Sequence, residues 1–176
     1  IWNAMKQITG RVWKLGDNID TDVIYPGKYL PIIDASEMAL HALEGFDPEF
    51  PKKIKQGDII VAGSNFGCGS SREQAATCLK YAGIACIVAK SFSRIFFRNA
   101  INQGLALVQS KEAPDHIQPG GIITIDFTVG EIITSQHQKF SFPPLPEFLM
   151  GILEDGGLIP HVKKSLKTQS KNNYYR

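Results

Sequence analysis

The residues with the most chemical potential lie between Gly63 and Glu73, in the run GSNFGCGSSRE. Glycines there allow positive φ and let the backbone approach a bound group closely. A helix opening at Ser70 or Ser71 would offer free N–H groups and a partial positive charge to an anion. Arg72 then falls in the first turn, where a cation opposes the helix dipole but a guanidinium can grip a carboxylate or phosphate with two hydrogen bonds. A residue that breaks a local rule in this way marks a candidate site. The same stretch also reads as a plain Gly-Ser turn between strand and helix, with Glu73 as a cap. Two nucleotide motifs are excluded. Arg72 stands where a dinucleotide fingerprint needs its third glycine, and no Gly-Lys-Ser/Thr completes a phosphate loop.

Other reactive residues are sparser. Asp17, Asp20 and Asp22 crowd one turn-rich segment and suit Asx turns, while the Gly and distal Glu of a calcium loop are missing. Lys90, Arg94 and Arg98 recur every four residues and on a helix would share a face, with Lys90 expected to precede the helix itself; they could line an anion cleft, meet a partner or face solvent. Cys68, Cys78 and Cys86 are odd in number and match no zinc ribbon, disulfide framework or C-x-x-C cluster motif. The four histidines (41, 116, 137 and 161) are isolated in sequence.

These residues need a scaffold, and 176 residues suffice for one domain with a sizeable core. Gln7 to Lys14 alternates as a half-buried strand. The Asp-, Gly- and Pro-rich stretch after it predicts an irregular loop, and Ser36 to Leu43 a helix capped by Ser36. Asp58 to Ala62, Ile84 to Ala89 and Leu105 to Val108 are short apolar runs. They alternate with helices over Arg72–Ala82 and Phe92–Gln103, an order that implies a parallel βαβ core. A hairpin around Gly130 and a short helix over Pro146–Gly156 follow.

The chain carries 19 basic and 17 acidic residues, and five of the basic ones fall after His161 in a segment without acids. The body is therefore slightly acidic, which disfavours a nucleic-acid partner. No apolar run approaches a membrane span. Reduced thiols and the absence of a signal architecture point to a cytoplasmic protein. Residues 5–162 are expected to form the domain, with Met5 a natural start after an extension (Ile1–Ala4), and 163–176 a basic, disordered tail.

Three blocks, GDNIDTDVIYPGKYL, GDIIVAGSNFGCGSSREQA and AKSFSRIFFRNAINQGL, occur in that order. Together they resemble the small subunits of 3-isopropylmalate dehydratase, the separately encoded swivelling domain of the aconitase superfamily. The resemblance implies an α/β aconitase-like swivelling domain, with a small mainly parallel sheet flanked by helices. It implies that Ser70 is the catalytic alkoxide base, that Ser71 and Arg72 contact substrate carboxylates, and that Asp22, near them, is also a substrate-binding residue. It places the 4Fe–4S cluster, which this chain is not expected to hold, on a large partner subunit that acts with this chain on a small dicarboxylate. An unassisted serine is far too weak a base near neutrality, so its activation must come partly from that partner.

One loop departs from the family pattern. Where small subunits of this type usually read Tyr-Leu-Arg, this chain reads Tyr29-Leu30-Pro31-Ile32. An apolar specificity loop suits an alkyl substituent, because a buried second carboxylate needs a paired cation. The expected activity is the isomerisation of 2- and 3-isopropylmalate by dehydration and rehydration in leucine biosynthesis. Alternatives are a related dehydratase (homoaconitase or dimethylmalate dehydratase) or a non-catalytic binding or assembly subunit.

Overall fold

The computed structural model describes residues 6–172. The expected start at Met5, the extension before it and residues 173–176 lie outside that range. The chain begins with β1 (Gln7–Lys14), then α1 (Thr21–Ile24), a 3-10 turn (Gly27–Tyr29), α2 (Ala35–Ala39) and α3 (Phe50–Lys53). A βαβαβ unit follows: β2 (Ile59–Ala62), α4 (Glu73–Ala82), β3 (Cys86–Ala89), α5 (Arg94–Asn102) and β4 (Ala106–Gln109). After α6 (Ala113–His116) come β5 (Ile122–Asp126), β6 (Glu131–Thr134) and β7 (Lys139–Ser141). Two helices, α7 (Glu147–Glu154) and α8 (Leu158–Asn172), complete the described residues.

All seven strands join one sheet in the order β4-β3-β2-β1-β5-β6-β7. β1 to β4 run parallel, as the βαβ order requires, and β5 to β7 continue as an antiparallel meander. β1 is the seam: Val12–Lys14 pair with β2 and Gln7–Arg11 with β5. Every residue of β2 and β3 is buried, the continuous apolar pattern of strands covered on both faces. β5 instead alternates, burying Ile123 and Ile125. Ala75, Ala76 and Leu79 form the inner face of α4, which ends at Gly83 in a left-handed C-cap. At the start of β1's parallel stretch, Arg11 and Trp13 reach the buried Asp58, with Arg11 Nη2 at 2.7 Å and Trp13 Nε1 at 2.6 Å.

Several boundaries move from those expected. Asp34, not Ser36, caps α2, accepting the Glu37 amide at 2.9 Å, and the helix stops at Ala39. The turn-rich segment is not wholly irregular, because Asp20 accepts the Val23 amide and starts α1. Neither Ser70 nor Ser71 opens α4. Arg72 is extended (φ −136°, ψ 108°) and the helix begins at Glu73. Where the sequence predicts a basic, disordered tail from Lys163, α8 runs through Asn172. Leu158 packs against the core and His161 and Lys164 pair with Asp155, so the start of this helix is anchored. Side chains from Val162 to Ser170 are all exposed, and that stretch rests more on the propensity of its Lys, Leu and Gln residues.

Candidate functional site

Three segments leave the C-terminal ends of β1, β2 and β3 and meet there, the edge at which parallel sheets place their ligands. The middle one is the glycine-rich loop. Its amide at Gly67 donates to Ile19 O (2.7 Å), and the Thr21 amide donates to Cys68 O (2.9 Å). On its other side the Ser93 hydroxyl donates to Gly67 O at 2.7 Å while also capping α5. The loop is thus stitched between the first and third segments. Gly67 (φ +78°) is required twice over, because a Cβ there would lie 2.2 Å from Phe96 Cγ.

That stitching presents Ser70, Ser71 and Arg72. The Thr21 hydroxyl donates to the Ser70 carbonyl at 2.8 Å, fixing the backbone while both serine side chains stay exposed. Arg72, extended rather than helical, sends its guanidinium back toward the first segment. Its Nη1 donates to Asp22 Oδ1 at 2.6 Å and to Tyr25 O at 3.1 Å. The same Asp22 oxygen accepts the Gly27 amide at 2.9 Å. The Arg72 hydrogen bond, helped by the Gly27 amide, holds the Asp22 carboxyl below the usual carboxylate range. Asp22 therefore binds Arg72, and its oxygen facing the guanidinium is already engaged.

The 3-10 turn leads from this cluster into Tyr29–Ile32, the loop read from the sequence as setting specificity, since Gly27 lies against both Arg72 and Asp22. Tyr29 is anchored rather than free, stacked on His41 with ring centroids 3.6 Å apart. Ile32 packs against the core, whereas Leu30 and Pro31 are exposed. Ile33, next in line, is 93% exposed.

The other candidates disperse. Lys90 precedes α5 and pairs with Asp115 at 2.7 Å, so it does not share the face of Arg94 and Arg98. Those two arginines border a groove of about 460 Å³ with Phe92, Phe97 and Leu149, which neither serine nor Arg72 lines. Cys78 and Cys86 are fully buried, and burial pushes both thiols up. Among the described residues no group of three His, Cys, Asp or Glu side chains is placed to hold a metal ion. His41 and His161 are not isolated in space, pairing with Glu44 and Asp155 at 2.7 Å each. Sequence reasoning missed Tyr25, Gly27 and Ser93 as supports of the site. Their roles run through backbone atoms and a helix cap, and only the Ser93-x-x-Phe96 helix start carried any local signal.

The architecture and this loop find close counterparts among known proteins. The family model described as the aconitase C-terminal domain matches residues 17–113, which contain every site residue above. The chain belongs to the aconitase C-terminal domain family. The 3-isopropylmalate dehydratase small subunit of Syntrophus aciditrophicus is 50% identical over 159 residues, covering 90% of this chain and 97% of the relative. The methanogen homoaconitase small subunit of Methanothermobacter thermautotrophicus is 48% identical, covering 92% of this chain and 94% of that one. A crystal structure of 3-isopropylmalate dehydratase from Methanocaldococcus jannaschii superposes with a TM-score of 0.90 at 47% identity, covering 94% of this chain and 99% of that one. Membership in the aconitase family agrees with the α/β swivelling domain expected from the three sequence blocks. No helix among the described residues is long and apolar enough to cross a membrane.

Proposed function

We propose that this chain is the small subunit of a 3-isopropylmalate dehydratase, a hydro-lyase of leucine biosynthesis that interconverts 2- and 3-isopropylmalate. The observation that carries the reading is the exposed Ser70-Ser71 pair beside a guanidinium fixed at one end only. Asp22 and Tyr25 O both engage Nη1, and among the described residues no hydrogen bond holds Nη2. Arg72 can thus present its second nitrogen to a substrate carboxylate without leaving its anchor. Ser71 supplies a hydroxyl to the same carboxylate.

Ser70, as the alkoxide, takes the proton from the carbon next to the hydroxyl-bearing one. The C–H electrons form the double bond as the C–O bond breaks, and the hydroxyl leaves as water with a proton from an acid that the large subunit would supply. In the return step water adds its oxygen to the other carbon and gives its extra proton back to that acid, while Ser70 returns its own proton to the carbon that had carried the hydroxyl. This chain supplies binding, orientation and the proton carrier, while the large subunit closes the site, excludes water and lowers the cost of the alkoxide. A 4Fe–4S cluster on that subunit would supply the Lewis acid for the hydroxyl. The exposed Leu30 and Pro31 would cover the isopropyl group, which favours an alkylmalate over the tricarboxylates implied by the name of the homoaconitase relative.

Ser70→Ala, reconstituted with the large subunit, tests the reading. The expected result is turnover reduced by at least about a thousandfold with KM little changed, as for loss of a general base. Undiminished turnover would remove Ser70 from the chemistry and leave this chain a binding or assembly subunit.

A further inference from the structure

The loop that faces the substrate's variable group has its own anchor outside the Ser70 cluster. Tyr29 is held at both ends: its carbonyl accepts the hydroxyl of the fully buried Tyr25 at 2.8 Å, and its own hydroxyl donates to Glu44 Oε1 at 2.5 Å. The second Glu44 oxygen takes His41 Nδ1 at 2.7 Å, and His41 stacks on the Tyr29 ring. Lys28 Nζ lies over the same ring, 4.8 Å from its centroid, and 3.6 Å from Glu44 Oε1. Burial opposes the charge on Glu44. The hydrogen bonds from Tyr29 and His41, with the His41 and Lys28 charges, overcome it and hold the carboxyl below its usual value.

The base of this anchor is rigid. Leu43 takes a positive φ of 54°, an uncommon conformation for a branched apolar residue, and its amide donates to Ile24 O at 2.8 Å. Gly45 lies so close to the Val23 backbone that a Cβ would sit 2.7 Å from it. Glu44 is therefore clamped between two residues bound to α1, the helix that carries Asp22. Its carboxylate transmits that placement to Tyr29, and so to Leu30 and Pro31.

We infer that Glu44 is the positioning residue of the specificity loop, setting where Leu30 and Pro31 meet the substrate's alkyl group. The inference rests on the proposed function, in which this loop contacts that group. Glu44 itself touches no substrate, and it acts through Tyr29.

The test uses the two-subunit enzyme and the ratio of kcat/KM for isopropylmalate over its methyl counterpart, citramalate. Glu44→Ala is expected to lower that ratio by about tenfold through KM for isopropylmalate, matching the loss of a charge-assisted hydrogen bond. Tyr29→Phe, which removes only the hydroxyl, should lower the ratio in the same direction, and the double variant should add nothing to Glu44→Ala. If Glu44→Ala fails to fold, Tyr29→Phe alone reads the anchor. Leu30→Ala separates the two ways of failing. A ratio that moves in Leu30→Ala but not in the Glu44 and Tyr29 variants overturns the anchor and leaves the loop assignment intact. A ratio unmoved in all of them overturns both.

Discussion

Arg72 and Asp22 stand fifty residues apart in the chain, yet Nη1 and Oδ1 meet at 2.6 Å. The pair joins the glycine-rich loop after β2 to the segment after β1, so Asp22 aims the cation that would bind substrate. Its carboxylate is 66% exposed, which makes the contact a matter of aim more than of stability.

Arg72→Lys should therefore fail in two ways. An ammonium cannot hold Asp22 and Tyr25 O with one nitrogen and offer a second nitrogen to substrate. KM for isopropylmalate is expected to rise about tenfold to a hundredfold, and Asp22→Asn by a smaller factor in the same direction. Steady-state kinetics of the two-subunit enzyme check both. Parameters within twofold of wild type would deny Arg72 a substrate contact.

Pro31→Arg should redirect specificity. The residue sits exposed next to Leu30, so a guanidinium there meets no core and can pair with an extra substrate carboxylate. The kcat/KM preference for isopropylmalate over homocitrate-type substrates is expected to narrow by at least about tenfold. A wild type that already prefers the tricarboxylate would refute the apolar reading of the loop.

Gly67→Ala should unseat the loop from below. The new methyl group meets the Phe96 side chain at a φ that L residues rarely adopt. A loss of roughly 2–4 kcal/mol is expected from the combined strain and overpacking. Chemical denaturation would read it, with substrate affinity weakened in whatever fraction stays folded.

Asp58 gives the clearest pH dependence. Burial raises the cost of its charge, but the hydrogen bonds from Arg11, the Lys55 amide and Trp13 outweigh that and keep its carboxyl below the ordinary 3.8. A depressed folded value means stabilisation that is complete above the unfolded value and is lost as the pH falls through the folded one. Asp58→Asn should cost about 2 kcal/mol near neutrality, since Arg11 is left without its partner. The gap in Tm between the two proteins should close in acid below the ordinary carboxylate value. A gap that persists unchanged there would assign the loss to packing rather than charge.

The parallel half was legible because its signals are local and repeated: β-branched apolar runs, a helix face of Ala75, Ala76 and Leu79, and Gly83 as a stop. The hairpin at Gly130 was legible for the same reason. The helix start was misplaced because the choice between Ser70, Ser71 and Glu73 is made by distant partners. Thr21 ties the Ser70 carbonyl and Asp22 ties Arg72, and together they keep the chain extended for two more residues. Lys90 precedes the helix as its spacing allowed, but its partner Asp115 lies on another element and no local signal named it. The glycine loop and Arg72 stood out on local physics, whereas the roles assigned to Ser70, Ser71 and Arg72 came from a family resemblance. Their neighbours Tyr25 and Gly27 contribute only backbone atoms, which no residue type advertises.

The seam strand sets an order of assembly. β1 is made first but lies in the middle of the sheet, and its pairing of Thr9 with Thr124 spans 115 residues. Everything needed for β2, β3 and β4 is synthesised before the partner for the first half of β1 exists. A growing chain must therefore carry the open edge of Gln7–Arg11 until residue 126 has emerged. Contacts of such range are slow to form, and an open edge is the part of a sheet most prone to pair with the wrong chain. The five residues from Ile122 to Asp126 do more than extend a meander: they close the last exposed backbone in the centre of the protein.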